Sequence, residues 1–198
     1  MSKHLQTDEG MYRVMHLKEA LYKANYLNYT KVIFIRHPVE RLVSALRWFF
    51  SRERDMTKTK VHFEPIAKKI KRLFRAGANS SMKKSDLTFK EFLSYTVISH
   101  ENHHWQTYEN LCQTCRIPFD IIIKYETYER NLKNILVTYG NVTEDEAKQL
   151  IPHIHESPGQ SSAERSRVYM KTIPKPLRDK FYQIYKNDFE VFDYNFPW

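Results

Sequence analysis

Residues 31–50, KVIFIRHPVERLVSALRWFF, constrain this chain more than any other stretch. The continuous apolar run 32–35 has the character of a buried parallel strand. Arg36 ends that strand, and Pro38 falls where a helix can begin without needing its N–H. Leu42, Ala45, Leu46 and Phe49 then make an apolar stripe at helical spacing, so the reading is strand, tight turn, helix. Parallel α/β sheets bind ligands outside the carboxyl ends of their strands, where a helix N-terminus offers free N–H groups to an anion. Arg41, Ser44 and Arg47 follow at intervals of three, about 300° apart, and so lie roughly along one side of the helix. Two guanidinium groups and a hydroxyl beside a helix start can hold a phosphate without glycines. The competing reading is the solvated face of an ordinary amphipathic helix.

The remaining pattern alternates helices with one more strand. Residues 11–25 read as a helix through Val14, Leu17 and Leu21, and 65–75 as a second, with Ile66, Ile70 and Leu73 opposite Lys68, Lys71, Arg72 and Arg75. A third, in KSDLTFKEFLSYTV, is expected to be capped by Thr88 with Glu91 three residues on. FDIIIKYE, 119–126, is a second buried-strand candidate; 130–139 reads as a helix ending at Gly140, and 176–189 as another. The expected fold is α/β, a small parallel sheet flanked by helices in one domain spanning 1–198.

Composition narrows the function classes. With 41% hydrophobic and 14% aromatic residues the chain is not a disordered tail, and no run of 18 apolar residues exists to cross a bilayer. The opening MSKHLQTDEGMYR is polar and lacks the apolar core of a signal peptide. None of the four glycines fits G-x-G-x-x-G or the Walker pattern, which argues against a dinucleotide site and a Walker ATPase. A formal net charge of +9 calls for an acidic partner: nucleotide, nucleic acid, anionic lipid or acidic polysaccharide.

FIRHPVERLVSALRWFF resembles the 3′-phosphate-binding motif of the Golgi carbohydrate sulfotransferases, the group containing the chondroitin and dermatan 4-O-sulfotransferases. The motif's fixed positions are present as Arg36, Pro38, Arg41, Leu42, Ser44 and Ala45; His37 stands where the family often has an acidic residue, and Trp48-Phe49 replaces a polar-basic pair. HWQTYENLCQTCRIPFDIIIKYETYERNLKNIL is similar to the family's His-Trp, Leu-Cys-x-x-Cys, Tyr-Asp and Glu-Thr segment, and IPKPLRDKFYQIYKNDFEVFDYNFP to its C-terminal helix and Asp-Phe-x-x-Phe-x-Tyr ending. The resemblance implies a sulfotransferase fold of the P-loop-NTPase-like type. It also implies 3′-phosphoadenosine 5′-phosphosulfate as sulfate donor with no metal, and a glycan or glycosaminoglycan acceptor. By the same implication Arg36 and Ser44 hold the 3′-phosphate, and Arg41 supports the turn or the phosphate. The family's earlier 5′-phosphosulfate loop has no match here, although Arg13 in GMYRVM stands near the end of that unit. The expectation is therefore an amino-terminally truncated member: either a carbohydrate sulfotransferase or an inactive relative that binds nucleotide or anionic glycan. The intact family form is membrane-anchored in the Golgi lumen.

Several constellations remain beside this. His104, which matches the family's His-Trp pair, and His16, upstream of the phosphate-binding strand, are the candidate general bases. Glu126 also matches the family, or caps the helix that follows it. Cys112 and Cys115 with His100, His103 and His104 suggest a zinc site only weakly, and no thioredoxin-like pattern surrounds the pair; the resemblance implies a disulfide between them. The basic helix 68–75, with Lys83 and Lys84, is either a solvated face or a surface for an anionic glycan. Nucleic acid is not an expected partner, since no zinc finger, helix-turn-helix or RNA-recognition signature occurs. Asn28, Asn79 and Asn141 head glycosylation sequons.

Overall fold

The structure is a computed structural model that describes residues 29–50, 57–75, 87–99, 102–151 and 161–198. The helix expected at 11–25 lies outside the described residues, as do Arg13 and His16. Strand β1 (Val32–Ile35) leads into helix α1 (Pro38–Phe50), and β2 (Ile121–Lys124) pairs with β1 in parallel, Val32 opposite Ile121. Asp120 fixes that register: its Oδ2 accepts the Lys31 backbone N–H at 2.7 Å and meets the Lys31 Nζ at 2.8 Å. Between the strands come α2 (Thr57–Phe74), α3 (Phe89–Thr96) and the short α4 (Tyr108–Cys112). A 3₁₀ turn (Tyr125–Thr127) follows β2, then α5 (Tyr128–Tyr139), α6 (Glu144–Leu150), α7 (Ser162–Lys171) and α8 (Lys175–Val191). The expected α/β class with a small parallel sheet is what the chain forms; among the described residues that sheet has two strands.

Local rules explain most elements, and three depart from expectation. The Thr88 hydroxyl accepts the Glu91 N–H at 3.2 Å while Glu91 accepts the Thr88 N–H at 2.8 Å, the reciprocal cap the spacing predicts. Helix α2, by contrast, starts at Thr57 and carries Pro65 inside it, whereas the sequence placed Pro65 at its first turn. An internal proline forfeits one helical hydrogen bond. Phe63, two residues earlier, offsets this by stacking on Phe49 with centroids 3.8 Å apart. The second strand is shorter than 119–126, because Tyr125 closes a 3₁₀ turn by accepting the Tyr128 N–H. Nor are the strands buried on both faces: Ile33, Ile35 and Ile123 are buried, while Phe34 is 52% and Ile122 45% exposed.

The main core joins α1, α2, α3, α7 and α8. Phe50, Phe92, Trp105, Phe181, Tyr185 and Phe189 are its largest fully buried side chains, each stabilising the fold by roughly 2 kcal/mol or more through apolar burial. A second cluster sets Ile33 and Ile35 against Tyr108 and Phe192, which brings α4 and the end of α8 to the exit of β1.

Candidate functional site

Arg36 is the first residue beyond β1, one position later than the sequence suggested, and its backbone N–H donates to the Tyr108 hydroxyl at 2.8 Å. His37 then caps α1. Its Nδ1 accepts the Val39 N–H at 3.2 Å, and its carbonyl accepts the Arg41 N–H at 2.9 Å. With Nδ1 committed as acceptor, the ring proton sits on Nε2, which donates to the Asn195 carbonyl at 3.0 Å. An imidazole thus caps this helix. The His37 N–H donates to Glu126 Oε1 at 2.8 Å, and Glu126 Oε2 accepts the Tyr194 hydroxyl at 2.8 Å. Glu126 therefore closes the start of α1, across the sheet, instead of capping the helix after it. Because Glu126 and His37 take the His37 and Val39 amides, an anion at this junction is met by side chains more than by free helix N–H groups.

Those side chains diverge around α1. The Arg36 guanidinium lies with Cζ 4.4 Å from the Tyr125 ring centroid, donates from Nη2 to Ser162 Oγ at 2.6 Å, and has Nε 4.0 Å from Glu40 Oε2. Glu40 is itself buried; burial raises its pKa, with the Ser162 hydrogen bond opposing. Arg41 points the other way, over the Tyr108 ring at 4.3 Å, with Nη2 donating to the Gln106 carbonyl. At about 100° per residue, half-buried Ser44 stands some 40° from Glu40 and 60° from Arg41, between the two sectors. Arg47 falls on the Glu40 side, so Arg41, Ser44 and Arg47 spread over about 120° of the helix surface. Among the described residues, Arg36 Nε, Arg41 Nε and Arg41 Nη1 are buried nitrogens without a hydrogen-bond partner. Buried charged donors of this kind are costly unless an acceptor completes them.

The segment carrying Gln106 and Tyr108 is anchored from α8. The Tyr185 hydroxyl donates to the Trp105 carbonyl, and one turn on, the Asp188 carboxylate accepts the Tyr108 N–H at 2.9 and 3.1 Å. Asp188 is 1% exposed; burial pushes its pKa up to about 6, against the pull of Arg41 and the Tyr108 amide. Asp188 opens the Asp-Phe-x-x-Phe-x-Tyr ending already read in the sequence, whereas Tyr108 did not stand out. Both lie in family-like blocks, yet their contact spans 80 residues.

His104 is placed elsewhere. It packs on Phe49 at 4.3 Å, Phe63 at 5.5 Å and His103 at 3.9 Å, near the end of α1. Burial, His103 and Arg41 lower its pKa to about 4, so its imidazole is neutral at neutral pH. Cys112 and Cys115 are free thiols, contrary to the implied disulfide; the Cys115 N–H is held by Glu109 Oε2 at 2.8 Å, within the turn that ends α4. Among the described residues no three or more His, Cys, Asp or Glu side chains gather as metal ligands, and His100 lies outside them. On α2, Lys68 pairs with Glu64 at 2.9 Å and Lys69 lies 5.5 Å from the Tyr95 ring centroid, while Lys83 and Lys84 are outside the described residues. Asn141 is exposed in a left-handed turn (φ 54°) between α5 and α6; Asn28 and Asn79 are not described. No helix among the described residues is long and apolar enough to cross a membrane.

Comparison with known proteins identifies the family. The profile of the sulfotransferase family matches residues 1–195. Carbohydrate sulfotransferase 11 of Mus musculus is 30% identical over 177 residues, covering 86% of this chain and 48% of that protein. Carbohydrate sulfotransferase 14 of Mus musculus is 30% identical over 201 residues, covering 98% and 46%, and carbohydrate sulfotransferase 9 of Homo sapiens 31% over 176, covering 85% and 38%. The chain thus spans about half the length, or less, of these relatives. No solved structure matches it. With the family profile running over nearly every residue and a relative 30% identical over 86% of it, the chain belongs to the sulfotransferase family.

Proposed function

We propose that the chain carries out carbohydrate O-sulfation, transferring a sulfuryl group from 3′-phosphoadenosine 5′-phosphosulfate to a hydroxyl of a glycan of the chondroitin, dermatan or N-glycan kind. The observation that supports this reading is the set of buried guanidinium nitrogens of Arg36 and Arg41 at the carboxyl end of β1 that lack a hydrogen-bond partner among the described residues. Arg36 and Ser44 would hold the 3′-phosphate, with Arg41 supporting the turn or the phosphate. When bound, the donor supplies an electrophilic sulfur and a phosphate leaving group. The protein's part is to fix the anion and hold the acceptor in line, so positioning and electrostatics carry the rate. His104, kept neutral, is able to accept a proton, and His16 is the other candidate base. A Golgi lumenal site of action, through a membrane anchor in the longer family form, accompanies this function.

The test is calorimetric titration of 3′-phosphoadenosine 5′-phosphate (PAP) into the chain beside Arg36→Ala and Ser44→Ala, followed by transfer of labelled sulfate to glycan acceptors. Binding that is lost in both variants, with transfer, supports the reading. Binding without transfer to any glycan would reduce it to nucleotide recognition.

A further inference from the structure

The two arginines are set by one tyrosine, and that tyrosine is set by one aspartate. Tyr108 is 5% exposed and touches both arginines with different parts of its ring: the hydroxyl accepts the Arg36 N–H at 2.8 Å, and the π-face lies beneath the Arg41 guanidinium at 4.3 Å. Arg41 is held a second time by the Gln106 carbonyl, two residues before Tyr108. The Tyr108 N–H ends on both oxygens of Asp188, and the Trp105 carbonyl on Tyr185, one turn earlier on the same helix. Tyr185 and Asp188 are 0% and 1% exposed, so α8 grips residues 105–108 at two points from inside the core.

We infer that Tyr108 is a positioning residue for the 3′-phosphate site, with Asp188 as its anchor, so that helix α8 sets the aim of Arg36 and Arg41 without touching the nucleotide. The inference rests on the reading of this junction as the 3′-phosphate site. Physically, the hydroxyl fixes the backbone at the strand exit, which fixes where Arg36 departs, while the ring limits the rotamers of Arg41 by a cation–π contact. Without the ring or its anchor, the same two charges would remain in the pocket but sample more directions, and a bidentate grip on phosphate is lost by small misplacements.

Tyr108→Phe isolates the effect, because it keeps the ring under Arg41 and removes only the acceptor for the Arg36 amide. In calorimetric titrations of the full chain, PAP affinity should fall about tenfold in this variant, the scale of one buried hydrogen bond. AMP, which lacks the 3′-phosphate, should bind wild type and variant alike, measurably or not. Asp188→Ala should lower PAP affinity similarly, and Asp188→Asn, whose Oδ1 still accepts the Tyr108 N–H, should restore most of it. PAP binding by Tyr108→Phe at wild-type strength would overturn the inference. So would equal losses for PAP and AMP, or equal losses in Asp188→Ala and Asp188→Asn. Wild-type chain that does not bind PAP, or Arg36→Ala that binds it fully, would instead overturn the 3′-phosphate reading, and the positioning role with it.

Discussion

Asp188 makes an unusual prediction about stability, because the group that anchors the site is one the fold would do better without in its charged form. Its ordinary value of 3.8 is raised to about 6 by burial, which outweighs Arg41 and the Tyr108 amide. A folded-state acid with a raised pKa binds its proton more tightly than the unfolded chain does. Between pH 3.8 and about 6 the unfolded chain has already released the proton and the folded chain has not, so stability declines with rising pH across that window and is level above it. The decline amounts to roughly 3 kcal/mol, at about 1.4 kcal/mol per pH unit. Asp188→Asn removes the titration and keeps an acceptor for Tyr108. Urea unfolding of wild type and Asp188→Asn at pH 4, 5, 6 and 7 should therefore show the variant gaining on wild type by an amount of that order as pH rises, whatever the offset at pH 4. A difference that stays flat, or runs in the opposite direction, would show that Arg41 and the amide dominate over burial and would refute the reasoning.

Four further outcomes follow from the geometry. Glu91 has its pKa lowered to about 2: burial alone would raise it, but Arg75 and the Thr88 cap outweigh burial. Its contribution is present above pH 4.5 and is lost as pH falls through about 2, so Glu91→Gln should cost about 1–2 kcal/mol at pH 7 and much less at pH 2, read by chemical unfolding. His104→Phe should leave the melting temperature within a few degrees of wild type, since the ring still packs on Phe49 and Phe63; sulfate transfer abolished in that folded variant identifies the base, and transfer retained removes His104 from that role. Ending the chain after Asp193 removes the Asn195 carbonyl from His37 and the Tyr194 hydroxyl from Glu126; PAP affinity should drop severalfold in a titration against the full chain. Expressed through a secretory route, the chain should lose mass on deglycosylation, and Asn141→Gln should remove one glycan's worth.

Where the chain could be read from its sequence, the signal was local. The run 32–35 followed by Pro38 placed β1 and the start of α1, and Thr88 with Glu91 three residues on placed the cap of α3. Pro65 misled for the same reason: the local rule puts proline at a helix start, while the stacking of Phe63 on Phe49, a tertiary contact, carries the helix through it. At the site, Arg36 and Arg41 were legible as charges beside a strand exit, but their directions were not. One is turned toward Ser162 and Tyr125, the other toward Gln106 and Tyr108, by partners 65 to 126 residues away. The role of His37 was equally hidden, since a histidine before a proline carries no capping signature and its use depends on Glu126 and Asn195 closing around it.

The distance of those partners along the chain has a consequence for synthesis. Arg36 and Arg41 leave the ribosome long before Asp188, and the Asn195 carbonyl that holds His37 is made 158 residues after it. Neither strand pairing nor α1 supplies what aims the two guanidinium groups, so a partly made chain holds the charges of the proposed nucleotide site without their arrangement. Closing contacts this far apart is slow compared with local helix formation. Nucleotide binding should thus appear late and in one step, when α8 docks, and a ligand present during folding selects for chains in which that docking has succeeded.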